Sequence, residues 1–162
     1  MKRLIVSDAT PIIAFSKINR LTLLQEIVSK IIIPEEVSRE LFAYGKPDIE
    51  KLERCAWIRI EKIESQNDVD LLLPALDRGE AEVIILAKEL KADLVVIDEL
   101  TARKVAVMME LPLIGTIGLL IAARKKGLIT KLKPVWDDMR ACGIRYGELF
   151  YQKVLAEIGE LK

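Results

Sequence analysis

The chain has 162 residues, of which 51% are apolar and 31% charged, and its 25 basic and 25 acidic residues give zero formal net charge. This composition is typical of a single folded globular domain, and the balanced charge disfavours a basic protein that coats nucleic acid. Histidine is absent, which excludes Ser-His-Asp and Cys-His nucleophile systems and histidine-ligated zinc.

Short, continuous apolar runs predict the strands. Runs of this kind are typical of strands buried on both faces, as in a parallel sheet covered by helices. An alternating run predicts a more exposed strand, placed at an edge of the sheet. In chain order, the continuous runs are residues 4–6, 31–33, 94–97 and 111–114, and the alternating run is residues 57–60.

Helical patterns lie between these runs. Pro34 fits the first residue of a helix, Asp77 fits an N-cap, and Gly127 fits a C-terminal stop. A tail helix over residues 146–161 places Leu149, Phe150, Val154, Leu155, Ile158 and Leu161 on one face, which we expect to pack on the body or on a second subunit. The other predicted helices are residues 10–18, 21–28, 35–43, 47–56, 77–90, 100–110 and 116–126.

This alternation predicts an α/β fold with three layers, α/β/α, and a central, mostly parallel sheet with right-handed crossovers. We expect one domain over residues 1–162, with a core at 1–130 and a C-terminal helical extension at 131–162. In such folds the carboxyl ends of strands and the N-termini of helices share one edge, and ligands bind there.

Compartment and partners follow from what the sequence lacks. Cys55 and Cys142 form no CxxC unit, which favours free thiols in an intracellular protein. The first eight residues do not resemble a signal peptide. The longest uncharged apolar stretch, residues 111–123, is shorter than the roughly 20 residues of a membrane span. We therefore predict a cytoplasmic protein with no membrane partner.

Three acidic residues are delivered to the binding edge by this topology. Asp8 and Asp98 each follow a strand, and Glu80 lies in the first turn of the helix that begins near Asp77, while Thr116 starts the helix after the last strand. Clustered carboxylates repel one another, and a divalent cation that prefers oxygen ligands, Mg²⁺ or Mn²⁺, relieves that repulsion. Such an ion supports phosphodiester hydrolysis without histidine.

Each of these residues also has a purely structural interpretation at a helix N-terminus. Glu80 and Asp77 have the spacing of a capping box. The combination favours a site, because one edge collects all of them. The other structural interpretations are caps at Asp8, Asp98 and Thr116, and solvated or dipole-complementing charges at Glu82 and Glu99.

The segments around these acids resemble the PIN-domain family in order and spacing. A segment after the last strand, residues 115–118, is similar to a subgroup of prokaryotic PIN-like proteins related to VapC-type toxins, and the resemblance spans roughly residues 3–130 and continues through 143–160. The four matching motifs are residues 7–13, with Asp8; 34–41, with Glu40; 79–82, with Glu80; and 95–99, with Asp98.

The resemblance implies a metal-dependent ribonuclease whose catalytic residues are Asp8, Glu40, Glu80 and Asp98. Asp8, Glu80 and Asp98 would bind Mg²⁺ or Mn²⁺, and RNA cleavage would leave a 5′-phosphate and a 3′-hydroxyl. The family relationship also implies a toxin paired with an antitoxin protein, and a homodimer. The alternative is a PIN-like interaction module that has lost catalysis.

Two features of the sequence leave alternatives open. The third motif carries Glu80 where many toxin relatives carry aspartate. Glu40 lies six residues beyond Pro34, about 9 Å along a helix, so that Glu36, nearer the helix start, is a second candidate for the same role.

Arg103 and Lys104, just beyond the fourth motif, are either phosphate contacts or part of a solvated helix face.

Overall fold

The computed structural model describes residues 3–45 and 55–161, and these residues contain one parallel sheet. Its strand order is β3-β2-β1-β4-β5, and every pair is parallel. The predicted α/β class is therefore confirmed, and the alternating strand β3 lies at an edge, as expected. The strands are β1 (Ile5–Ser7), β2 (Ile31–Pro34), β3 (Ile58–Glu61), β4 (Leu94–Val96) and β5 (Leu113–Ile114).

Nine helices connect or follow these strands within the described ranges. None of them has the length and apolar character needed to cross a bilayer. The helix predicted at residues 47–56 falls largely on residues 46–54, outside the described residues. The helices are α1 (Ala9–Lys17), α2 (Leu21–Val28), α3 (Glu35–Tyr44), α4 (Gln66–Leu72), α5 (Arg78–Leu90), α6 (Leu100–Met108), α7 (Thr116–Lys125), α8 (Lys133–Ala141) and α9 (Glu148–Glu157).

The chain reverses its direction across the sheet at β1. From β1 it moves outward to β2 and β3, then returns to the other side of β1 to form β4 and β5. Because parallel crossovers are right-handed, the two directions of travel place helices on opposite faces of the sheet and give three layers. The reversal also makes the carboxyl ends of β1 and β4 the topological switch point.

The continuous apolar runs are explained by burial on both faces. All residues of β1 and β2 are buried, and α5 crosses the sheet in contact with β1, β2 and β4. Residues 79–87 of α5 are buried all round, which is the pattern of a helix enclosed by the core. This helix carries Glu80 in its first turn, so the core itself fixes that part of the edge.

The prediction that Pro34 is the first residue of a helix is wrong. Pro34 is the last residue of β2 and the N-cap of α3, with an extended backbone and no side chain that can accept a hydrogen bond. The carboxylate of Glu82, from α5, accepts a hydrogen bond from the Glu36 backbone N–H at 3.2 Å instead. Glu82 is therefore a buried charge that complements the start of α3, not a solvated one.

The C-terminal extension differs from the single predicted tail helix. It contains α8, which the sequence analysis missed, and the shorter α9. Only part of the predicted apolar face packs on the body: Leu155 is buried, whereas Leu149 is 88% exposed. The fully buried Trp136 of α8 explains the difference, because its ring gathers Tyr146, Phe150 and Tyr151 with ring centroids 4.9–5.7 Å away.

The bounds of α6 and β5 differ from those predicted, and helix α4 was not predicted. Strand β5 begins at Leu113, not at residue 111, because Leu111 closes the turn after α6 by donating its N–H to the Ala106 carbonyl. The turn contains Glu110 at φ 59°, which explains why α6 ends at Met108. Helix α4 was missed because its sequence is mostly polar and buries a single residue, Val69.

Gly118 of α7 provides a test of the packing at β5. A Cβ added there would lie 2.4 Å from Cγ1 of Ile114. Gly118→Ala should lower the free energy of unfolding by roughly 1–3 kcal/mol through overpacking, although alanine gains about 1 kcal/mol in helix propensity. Urea unfolding measures the change. Combining Gly118→Ala with Ile114→Ala should lower the free energy of unfolding by less than the sum of the two single changes, because the shorter side chain removes the clash. A Gly118→Ala protein as stable as wild type would contradict the contact.

Candidate acidic site

The carboxyl ends of β1 and β4 bring two predicted acids together. Ser7 pairs with Val96 in register, and the Asp8 N–H donates to the Val96 carbonyl at 3.1 Å. Asp8 and Asp98 therefore leave the sheet side by side at its switch point, which is the place where ligands bind in folds of this class.

Asp8 is a buried carboxylate, 5% exposed, at the start of α1. Its Oδ1 accepts a hydrogen bond from the Ala9 N–H at 2.8 Å, so the capping role expected from the sequence is confirmed. Burial raises the pKa of Asp8 from its usual 3.8 to about 7, against the lowering effect of the Ala9 hydrogen bond, and the charges of Asp77, Glu80 and Asp98 raise it further. Asp8 thus caps a helix and also faces the other acids.

Glu80 also combines a structural bond with proximity to other acids. Its N–H donates to Asp77 Oδ1 at 2.8 Å, and its Oε1 accepts from the Asp77 N–H at 3.1 Å. This is the capping box that the spacing predicted. Burial raises the pKa of Glu80, and the charges of Asp77 and Glu99 add to that effect.

Glu40 reaches this edge from α3. Burial raises its pKa from 4.5 to about 7, and the next contributions come from the charges of Asp8 and Asp77. Its carboxylate lies against Gly79, since a Cβ there would be 2.0 Å from Glu40 Oε1. The rival candidate, Glu36, accepts a hydrogen bond from Arg39 Nη1 at 2.7 Å instead. The structure therefore places Glu40, rather than Glu36, against the start of α5.

Asp98 does not cap the helix that follows it, contrary to one interpretation of the sequence. Glu99 is the N-cap of α6 and accepts from the N–H groups of Thr101 and Ala102 at 3.0 and 2.7 Å. Asp98 turns instead to the next helix, where the Thr116 N–H donates to its Oδ1 at 2.8 Å and the Thr116 hydroxyl donates to its Oδ2.

Thr116 is likewise not an N-cap, because Gly115 holds that position in α7. Gly115 is a point of close approach: a Cβ there would lie 2.8 Å from Asp98 Oδ1 and 3.0 Å from Arg103 Nη1. Only a residue without a side chain leaves room for both groups. This explains in physical terms why glycine precedes Thr116.

The sequence analysis missed Tyr146, which the C-terminal extension brings to Asp98 and Thr116. Burial and then the charge of Asp98 raise the pKa of the Tyr146 hydroxyl, while a hydrogen bond with Thr116 lowers it. Its ring packs edge-on against Trp136, with centroids 5.4 Å apart. No motif in the sequence pointed to this residue, because the contact depends on how α8 packs.

The donor chemistry of these acids fits a hard divalent cation. All the candidate ligands are carboxylates, and their burial and mutual repulsion favour a bound positive charge. Within residues 3–45 and 55–161, no three acidic or cysteine side chains converge closely enough to hold one ion together. Mg²⁺ commonly takes only one or two carboxylates, with water and substrate phosphate completing its shell, so the fit does not require three.

Comparison with known proteins adds one finding about the whole described fold. A family model described as DUF3368, a PIN domain, matches residues 4–160, a range that includes all four candidate acids and both helices of the extension. No curated protein matches the chain.

The raised pKa of Asp8 predicts how stability depends on pH in the metal-free protein. Because folding raises this pKa from 3.8 to about 7, the folded state binds the proton more tightly. The contribution of Asp8 to the free energy of unfolding is therefore fully present below about pH 4 and is lost as the pH rises to about 7. Asp8→Asn keeps an N-cap oxygen but cannot ionise. Its free energy of unfolding should exceed that of wild type by roughly 2–4 kcal/mol at about pH 8.

Urea unfolding in EDTA measures this difference, and the advantage of Asp8→Asn should vanish at about pH 4. Asp68→Asn, at an exposed acid of α4, is the matched control and should show no pH-dependent gain. A variant at Asp8 that is no more stable than wild type at alkaline pH would contradict the burial of a charged carboxylate.

Proposed function

Since the chain belongs to the PIN-domain family that matches residues 4–160, we propose that it is a metal-dependent endoribonuclease that hydrolyses RNA phosphodiester bonds. The PIN domain is a nuclease-type fold, and a nuclease of this kind binds nucleic acid. The observation that carries the proposal is the gathering of Asp8, Glu40 and Glu80 at one edge, where burial and mutual repulsion raise the pKa of each.

In this proposal Asp8, Glu80 and Asp98 hold Mg²⁺ or Mn²⁺, directly or through water. The ion supplies Lewis-acid chemistry at the phosphoryl group and offsets the negative charge of the acids. The hydrogen bonds to Asp98 from Thr116 support a fixed orientation for that ligand, because a carboxylate bonded at both oxygens cannot turn freely.

Glu40 and Thr116 orient the water that attacks phosphorus in line. A carboxylate at this position can act as the general base that accepts a proton from water. Its position against Gly79 supports a defined orientation for this base. The products, as the family resemblance implies, carry a 5′-phosphate and a 3′-hydroxyl.

The proposal extends to a cytoplasmic toxin that is paired with an antitoxin protein and forms a homodimer. The exposed apolar side chains of α9, Leu149 at 88% and Phe150 at 48%, support a surface that pairs with another chain. The runner-up is a catalytically silent interaction module. The capping roles of Asp8 and Glu80 favour it, because caps alone would account for both residues.

Two of the three glutamates of α3, Glu36 and Glu40, provide a test of the catalytic assignment. Glu40→Gln should lower kcat for cleavage of a labelled single-stranded RNA in Mn²⁺ by about 100-fold or more, because the proton acceptor is lost. Glu36→Gln is the matched control, because the Glu36 carboxylate pairs with the exposed Arg39 of the same helix, so activity should stay within about threefold of wild type.

The opposite ranking of the two variants would contradict the role of Glu40. Asp8→Asn, measured in the same assay, should abolish cleavage while leaving the fold intact. Full activity of a pure Asp8→Asn protein, or no cleavage of any RNA by wild type in Mn²⁺, would overturn the nuclease proposal in favour of the silent module.

A further inference from the structure

A charge problem remains at the acidic site if its substrate is RNA. The largest charge effects on Asp8 and Glu40 come from other carboxylates, and a phosphodiester adds one more negative charge. Enzymes that transfer phosphoryl groups commonly place an arginine or lysine on the phosphate beside the metal ion. The need for such a cation rests on the proposed function, since an RNA substrate brings the phosphate to this edge.

Arg103 of α6 lies at the acidic edge. Its Nη1 donates a hydrogen bond to the carbonyl of Ile97 at 2.7 Å, so the side chain folds back toward the N-terminus of its helix. The same atom is 3.0 Å from the point where Gly115 would carry a Cβ, and Asp98 Oδ1 is 2.8 Å from that point. The guanidinium and the Asp98 carboxylate therefore both lie close to the bare backbone of Gly115.

The guanidinium of Arg103 is held in place without being neutralised. No ion pair among the described residues includes it, whereas Arg39 and Arg78 are paired with carboxylates. Arginine has five N–H donors in a fixed fork, and the Ile97 carbonyl is the one acceptor that the described residues give it. A half-buried, oriented arginine with unused donors is suited to bind phosphate through two parallel hydrogen bonds.

Other basic residues are less suited to this role. Lys104, the second candidate from the sequence, is exposed, and no ion pair or hydrogen bond with another described residue fixes its side chain. Lys126 donates to the Ile27 carbonyl at 2.8 Å, and Arg124 donates to the Ile158 carbonyl at 2.7 Å, so both are used to attach elements far from the acids.

We propose that Arg103 binds the scissile phosphate of RNA, donating to its non-bridging oxygens while the bond to the Ile97 carbonyl holds the side chain in place. Gly115 allows this placement, because a Cβ there would lie 3.0 Å from Arg103 Nη1 and 2.8 Å from Asp98 Oδ1 and would displace one of them. The competing explanation is that Arg103 only positions Asp98 by bonding the preceding residue.

The test measures RNA binding rather than cleavage. A short, labelled, mixed-sequence single-stranded RNA is titrated with protein by fluorescence anisotropy, with Ca²⁺ in place of Mn²⁺ and over a range of salt concentrations. Arg103→Met should weaken binding about tenfold or more and reduce the slope of log K against log salt by about 0.7, the loss of one phosphate contact. Arg103→Lys retains the charge and should keep the slope.

Lys88→Met is the matched control for loss of one charge, since Lys88 is exposed near the C-terminal end of α5. It should bind RNA as wild type does. Mn²⁺ affinity, measured by calorimetry on the same proteins, separates the two roles. It does not fall in Arg103→Met if the arginine binds phosphate, because losing a nearby cation does not weaken cation binding, and it falls about 10–100-fold if the arginine only positions Asp98.

Each outcome has one meaning. An Arg103→Met protein with the RNA affinity and salt slope of wild type would overturn the inference and leave the proposed function standing. A loss of Mn²⁺ affinity in that variant would assign Arg103 the positioning role and also overturn the inference. Wild-type protein that binds no RNA would overturn the proposed function itself, and the phosphate contact with it.

Discussion

The mutual repulsion of carboxylates at one edge of the sheet is the constraint on which this structure depends. Parallel topology delivers Asp8 and Asp98 to neighbouring strand ends, and Glu40 and Glu80 arrive from helices at the same edge. Part of the repulsion is offset by backbone N–H groups at helix starts, which bond Asp8, Glu80 and Asp98 through Ala9, Asp77 and Thr116 respectively. Capping and site formation are therefore two effects of one arrangement, and the remaining repulsion favours a bound cation.

Close approach is the second property of this edge. Gly79 allows Glu40 to lie against the start of α5, and Gly115 allows Asp98 and Arg103 each to approach the same stretch of backbone. The extension adds Tyr146 near Thr116, held there by the ring of Trp136. The C-terminal helices are thus part of what shapes the edge, since their packing decides which polar group faces Asp98.

The features that could be predicted from the sequence are those that hydrophobic periodicity, local spacing and parallel topology determine. The strands follow from apolar patterns, the capping box of α5 from the spacing of Asp77 and Glu80, and the shared edge from the parallel topology. Tertiary packing decided the rest. Pro34 could cap α3 without a side-chain acceptor because Glu82 of another helix replaces it, and no local pattern encodes that bond. The rise along a single helix favoured Glu36, yet α3 packs on α5, so the residue that meets the acidic edge is Glu40.

Calorimetric titration of Mn²⁺ into the metal-free protein, run beside an Asp8→Asn/Asp98→Asn double variant, tests whether these acids bind a metal ion. We expect binding by wild type that the double variant loses, because the proposed site depends on the two carboxylates at the switch point. Absence of binding by wild type at about 1 mM Mn²⁺, or equal binding by both proteins, would contradict this expectation and would favour a PIN-like module whose acids serve only as helix caps.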